Sequence, residues 1–87
     1  MTYKVELSKL AEKTLRQISQ VDQKLYSRFV NVIESLKENP FSGKKLSGIL
    51  KDRYSVRIGQ YRMLYKVEQN RLIVYIIDLG HRKDIYR

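Results

Sequence analysis

The sequence predicts an α+β domain in which a helical hairpin covers one face of an antiparallel sheet. Two observations predict it. Apolar residues recur at helical spacing through residues 9–39, then at strand spacing through residues 54–79. Between the two stretches stands Asn39-Pro40, and the residue before a proline is driven out of the helical region. With 87 residues, 43% of them apolar, the chain suits a single domain, 1–87, built on one modest core.

Thr2 to Leu7 alternates polar and apolar, with Tyr3, Val5 and Leu7 on one side, as a short strand does. Ser8 caps a helix running to Ser19, with Leu10, Leu15 and Ile18 on one face. Asp22 caps a second helix, along which Leu25, Phe29, Val32, Ile33 and Leu36 follow at helical spacing. A link of about three residues folds the two into an antiparallel hairpin. Residues 40–52 read as a loop. Tyr54, Val56 and Ile58 then alternate with Ser55 and Arg57, and Gly59-Gln60, with glycine first, suits a type II′ turn. Tyr61 to Val67 returns, Glu68 to Arg71 turns the chain again, and Leu72 to Leu79 is apolar enough for a central strand buried on both faces. Gly80 ends that strand, and His81 to Arg87 is a charged tail. These three strands form an antiparallel meander, which the first strand joins at long sequence range. One face of the sheet is left for function.

Charge narrows the function. Eighteen basic and nine acidic side chains give +9. Residues 1–42 hold seven basic and five acidic groups, whereas residues 43–87 hold eleven and four. A field this uneven fits a polyanion or an acidic protein. No cysteine is present, so disulfides and thiolate metal sites are excluded and a reducing compartment fits. The first residues hold no apolar run of signal-peptide length, and no stretch approaches the roughly 20 apolar residues of a membrane span. A soluble, cytoplasmic protein with no membrane partner is expected.

The two-residue turn fixes the register of the hairpin. Ile58 faces Tyr61, Arg57 faces Arg62, Val56 faces Met63 and Ser55 faces Leu64. Alternation puts Ser55, Arg57, Arg62 and Lys66 on one face, and Tyr54, Val56, Ile58, Tyr61, Met63 and Tyr65 on the face toward the helices. Two arginines directly opposed repel each other, and an anion between them relieves that repulsion. Arginine's planar fork matches phosphate. The tail adds His81, the one histidine, whose side chain can act as acid or base near neutral pH. Cleavage of RNA by its own 2′-hydroxyl needs a proton acceptor, a proton donor and positive groups at the phosphate. No metal-ligand spacing, P-loop or nucleophile elbow is present. The inventory fits phosphodiester chemistry with no metal and no cofactor. The remaining tyrosines, at 3, 26, 54, 61, 65 and 75, read as core or half-buried sheet residues.

The stretch Tyr54-Ser-Val-Arg57-Ile-Gly-Gln-Tyr61-Arg62-Met-Leu-Tyr65 resembles the central hairpin of RelE-type toxins of the RelE/ParE superfamily. Gly80-His81-Arg82-Lys-Asp-Ile-Tyr86 resembles their C-terminal motif, and the loop from Pro40 to Gly48 also fits. The resemblance covers essentially the whole chain. It implies the toxin of a type II toxin–antitoxin pair, an endoribonuclease that enters the ribosomal A site and cuts messenger RNA. It implies a RelB-like antitoxin as partner, in a complex of higher order that binds DNA through the antitoxin. By position, Arg62 resembles the family's phosphate-stabilising arginine, Arg57 a basic position on the preceding strand, and Arg82 the basic residue of the tail. Tyr86 matches the tail tyrosine that stacks on a base or takes part in proton transfer, and His81 stands where members carry lysine or histidine. Lys44, Lys45, Lys51, Arg53, Lys66 and Lys83 are expected along the RNA backbone. The chain departs from members that carry a lysine two residues before the position of Arg57, since Ser55 stands there, and from members with a loop glutamate. His81 is then the expected base, with Lys51 or Tyr86 as alternatives. A ParE-like toxin acting on DNA gyrase, a nucleic-acid-binding module that cuts nothing, and a structural protein are the rival readings.

Overall fold

The computed structural model describes residues 2–46 and 53–81. Strand β1 (Lys4–Leu7) leads into helix α1 (Lys9–Val21) and helix α2 (Gln23–Glu38). Strands β2 (Lys44–Lys45), β3 (Arg53–Ile58), β4 (Tyr61–Glu68) and β5 (Ile73–His81) follow. Ser8 caps α1 as expected, its hydroxyl accepting the Ala11 N–H at 3.0 Å. Asp22 alone joins the helices. It closes α1 through its backbone N–H to Ile18 and opens α2 by accepting the Leu25 N–H at 3.0 Å. Such caps satisfy amides that a helix start leaves without partners, each stabilising by about 1 kcal/mol.

The core lies between this hairpin and one face of the sheet. Ala11, Ile18, Leu25, Phe29, Ile33 and Leu36 come from the helices, and Ile58, Met63, Tyr65, Val74, Ile76 and Leu79 from the strands. Tyr54, Val56 and Tyr61 pack against it half-buried, so the expected assignment of faces in the β3–β4 hairpin is the observed one. All six pairs from Arg53↔Lys66 to Ile58↔Tyr61 follow from the two-residue turn. Gly59 has φ +62° while Gln60 does not share the left-handed region, which agrees with a type II′ turn.

The sheet is larger than the expected meander and of mixed sense. Its order is β1-β5-β4-β3-β2. β2 arises inside the stretch read as a loop, where the chain folds back so that Lys44 pairs with Ser55 and Lys45 with Tyr54. β1 runs parallel to β5, not antiparallel. No turn joins those two strands, so nothing imposes the hairpin sense on them. β5 does not end at Gly80: Gly80 pairs with Arg62 and His81 with Tyr61, so the ladder carries the strand through the glycine.

One irregularity matters for function. Tyr65 pairs with Ile76, but Leu64 pairs with Asp78, so Ile77 is an extra residue in β5. The Ser8 hydroxyl donates to the Ile77 carbonyl at 2.6 Å and the Ser8 N–H to the Ile76 carbonyl at 2.9 Å. The helix cap therefore also holds the bulge. No helix among the described residues is long and apolar enough to cross a membrane.

Candidate nucleic-acid interface

Among the described residues, the second face of the sheet carries no helix, and three rows of residues cross its centre. Arg57, Arg62 and Gly80 form the first, on β3, β4 and β5. Lys44, Ser55, Leu64 and Asp78 form the second. Arg53, Lys66, Tyr75 and Glu6 form the third. Arg53 opposite Lys66 is a second like-charged pair, one that the short turn places as surely as the first. Like charges opposed across strands cost about 0.2–1 kcal/mol where nothing offsets them, and a bound anion is one group that does. Arg57 is exposed. Arg62 is half-buried, with its Nε shielded from solvent. On β5, directly across from Arg62, Gly80 contributes no side chain. A phosphate can therefore approach the arginine fork without displacing a neighbour on that strand.

Lys44 is held on this face by a latch beneath it. The Tyr65 hydroxyl donates to the Pro40 carbonyl at 2.8 Å and accepts the Gly43 N–H at 3.1 Å. Tyr54 stacks on Tyr65 at 5.6 Å, and Phe41 meets Tyr54 edge-on at 5.7 Å. Gly43 is required by the close approach, because a Cβ there would lie 2.5 Å from the Tyr65 Oη and 2.9 Å from the Ser55 carbonyl. Burial pushes the Tyr65 pKa up, and the Gly43 hydrogen bond offsets only part of that. At the other end of the hairpin Arg28 of α2 packs on the turn, with its Nη1 3.2 Å from where a Cβ on Gly59 would stand.

The sequence-predicted site residues divide three ways. Arg57, Arg62, Lys44, Arg53 and Lys66 share the uncovered face. Lys45 pairs with Tyr54 and so belongs to the opposite face, as alternation along a two-residue strand requires. His81 also goes to the opposite face: it pairs with Tyr61, and their rings meet edge-on at 5.6 Å. Tyr61 in turn meets Phe29 at 6.0 Å. The extra residue at Ile77 causes this, since it inverts the faces of β5 beyond it. Lys51, Arg82, Lys83 and Tyr86 lie outside the described residues. The same inversion brings Asp78 to the arginine face, a residue not singled out from the sequence. Its signal was present: it is the one charged side chain in the run Leu72 to Leu79.

Comparison with known proteins agrees with this architecture. The sequence model of the ParE toxin of the type II toxin–antitoxin system parDE matches residues 5–86. A Methanocaldococcus jannaschii protein named "Putative toxin RelE1" is 33% identical over 92 residues, spanning 100% of this chain and 98% of that protein. The archaeal RelE–RelB complex from Pyrococcus horikoshii OT3 contains a chain 30% identical, with a TM-score of 0.76, covering 97% of this chain and 99% of that one. A chain of the toxin–antitoxin complex RelBE2 from Mycobacterium tuberculosis is 26% identical, with a TM-score of 0.79 and coverage of 94% and 100%. The uncovered cationic sheet face thus belongs to a RelE-type toxin of a type II toxin–antitoxin system, a member of the RelE/ParE superfamily.

Proposed function

We propose that this toxin is an endoribonuclease that cuts messenger RNA without a metal ion, in the A site of cytoplasmic ribosomes. The observation that carries the reading is the Arg57–Arg62 pair, opposed across β3 and β4 on the uncovered face with only Gly80 beyond it. The 2′-hydroxyl of the substrate attacks its own phosphate, and charge accumulates on the non-bridging oxygens. Arg62 and Arg57 neutralise that charge through charge-assisted hydrogen bonds. Arg82 adds a further cation, and Tyr86 stacks on a base or moves a proton, as their match to the family's tail motif suggests. Lys44, Arg53 and Lys66 follow the RNA backbone on the same face. His81 is a weaker choice for the base than the sequence suggested, because its ring packs on Tyr61 on the other face. A RelB-like antitoxin, such as those in the complexes of the similar structures, is the expected protein partner.

The test is messenger cleavage in a reconstituted translation system containing EDTA, comparing wild type with Arg62→Ala. Wild type cuts within the A-site codon. Arg62→Ala lowers the rate by about 10²–10³-fold, the usual effect of deleting a donor to a developing anion, with an unchanged circular-dichroism spectrum. A second reading, a ParE-like toxin directed at DNA gyrase, is favoured by the match to the ParE sequence model. Intact messenger together with growth arrest and inhibited supercoiling would support it.

A further inference from the structure

We infer that Asp78 is the group that takes the proton from the attacking 2′-hydroxyl; this inference rests on the nuclease reading above. The reaction needs a proton acceptor beside the arginines, and an arginine cannot serve. His81 faces the helices. Lys44 stands on β2, separated from Arg62 by the whole width of β3. Asp78 pairs with Leu64 while Arg62 pairs with Gly80, which makes Asp78 and Arg62 diagonal neighbours on adjacent strands. Diagonal neighbours lie roughly 7–8 Å apart at their Cα atoms, within reach of one bound nucleotide. Gly80 puts no side chain between them on β5.

The carboxylate is also disengaged and deliberately turned. It is half-buried, and among the described residues it takes part in no hydrogen bond or ion pair. A carboxylate one row from Arg62 weakens anion binding there, so its presence calls for a compensating role. The bulge sets its direction. Were Ile77 paired with Leu64 rather than bulged, Met63 would pair with Asp78, and the carboxylate would enter the apolar core at a prohibitive cost. Ser8 holds that bulge through the Ile77 carbonyl. Bulges beside active sites commonly re-aim a side chain in this way.

The step balances without a further reactant. The 2′-oxygen forms a bond to phosphorus as its proton passes to an Asp78 carboxylate oxygen. The bond from phosphorus to the 5′-oxygen breaks, and that oxygen takes a proton from solvent. The products are a 2′,3′-cyclic phosphate and a 5′-hydroxyl. Asp78 then releases its proton to water, and nothing is oxidised or reduced.

Single-turnover cleavage and the binding of an uncleavable 2′-O-methyl RNA are to be measured for wild type, Asp78→Asn, Asp78→Glu and Arg62→Ala. Asp78→Asn is expected to cleave about 10²–10⁴-fold more slowly, the range for a lost general base. It should bind the 2′-O-methyl RNA at least as tightly as wild type, because a negative charge has left the face. Asp78→Glu should recover part of the rate. Undiminished cleavage by Asp78→Asn, with Arg62→Ala inactive, would overturn this inference and leave the nuclease reading standing. Equal loss of binding and rate in Asp78→Asn would overturn it too, since a structural role predicts that pattern. A wild type that cuts no RNA would defeat both.

Discussion

Tyr65 shows how one side chain serves both the fold and the face above it. Its ring is fully buried, yet its hydroxyl must satisfy the Pro40 carbonyl and the Gly43 amide. Tyr65→Phe leaves both backbone groups without that partner and should cost about 1–3 kcal/mol in urea denaturation. The phenol's raised pKa has its own consequence. A group whose pKa is higher folded than unfolded loses its proton first in the unfolded chain. Its contribution is therefore complete below the ordinary phenol value of about 10 and falls as pH rises beyond it. Wild type should thus lose stability more steeply than Tyr65→Phe above about pH 10, measured by denaturation on both sides of that value. His81 makes the opposite case. Its ring contact with Tyr61 predicts that His81→Ala costs about 0.5–1.5 kcal/mol of stability while cleavage persists. An inactive but equally stable His81→Ala would return the proton-accepting role to the histidine.

At the scale of elements, Ser8 and the bulge it holds decide which residues meet. Ser8→Ala removes the α1 cap, for about 0.5–2 kcal/mol, and also the side-chain donor to the Ile77 carbonyl. Chemical denaturation should therefore find it at the upper end of that range, and a loss of only a few tenths would show that the bulge needs no such support. The same element marks where the sequence stops being legible. Strand alternation and a two-residue turn predicted the pairs from Ser55↔Leu64 to Ile58↔Tyr61, because side-chain period and turn geometry specify register together. Helical spacing and two capping residues predicted α1 and α2. β2 has only two residues, too few to display a period. The bulge at Ile77 adds one residue inside an apolar run, and nothing in that run's hydrophobicity marks where it falls. Everything beyond it changed face, so Asp78 and Gly80 replaced His81 beside the arginines. Parallel pairing of β1 with β5 was equally hidden, since no connecting turn fixes their sense.

The whole molecule concentrates its +9 charge in the half of the sequence that builds β2 to β5 and the tail. The helices cover one face of the sheet, and the proposed function puts RNA on the other. An acidic or amphipathic antitoxin segment laid there would neutralise the cations that phosphates otherwise occupy. Antitoxin and RNA should consequently exclude each other in a competition assay, and a ternary complex with both on this face would count against that. Binding of RNA should weaken linearly in log–log form as salt rises, because each neutralised phosphate releases counterions.

In the proposed function, RNA is held and cut on the face bearing Arg57 and Arg62. The first measurement to make follows backbone amide resonances of the toxin as an uncleavable 2′-O-methyl RNA is added. Shifts centred on Arg57, Arg62, Leu64, Asp78 and Gly80 are expected, with α1 and α2 unmoved. Shifts gathered on the helices, or none at all, would contradict it.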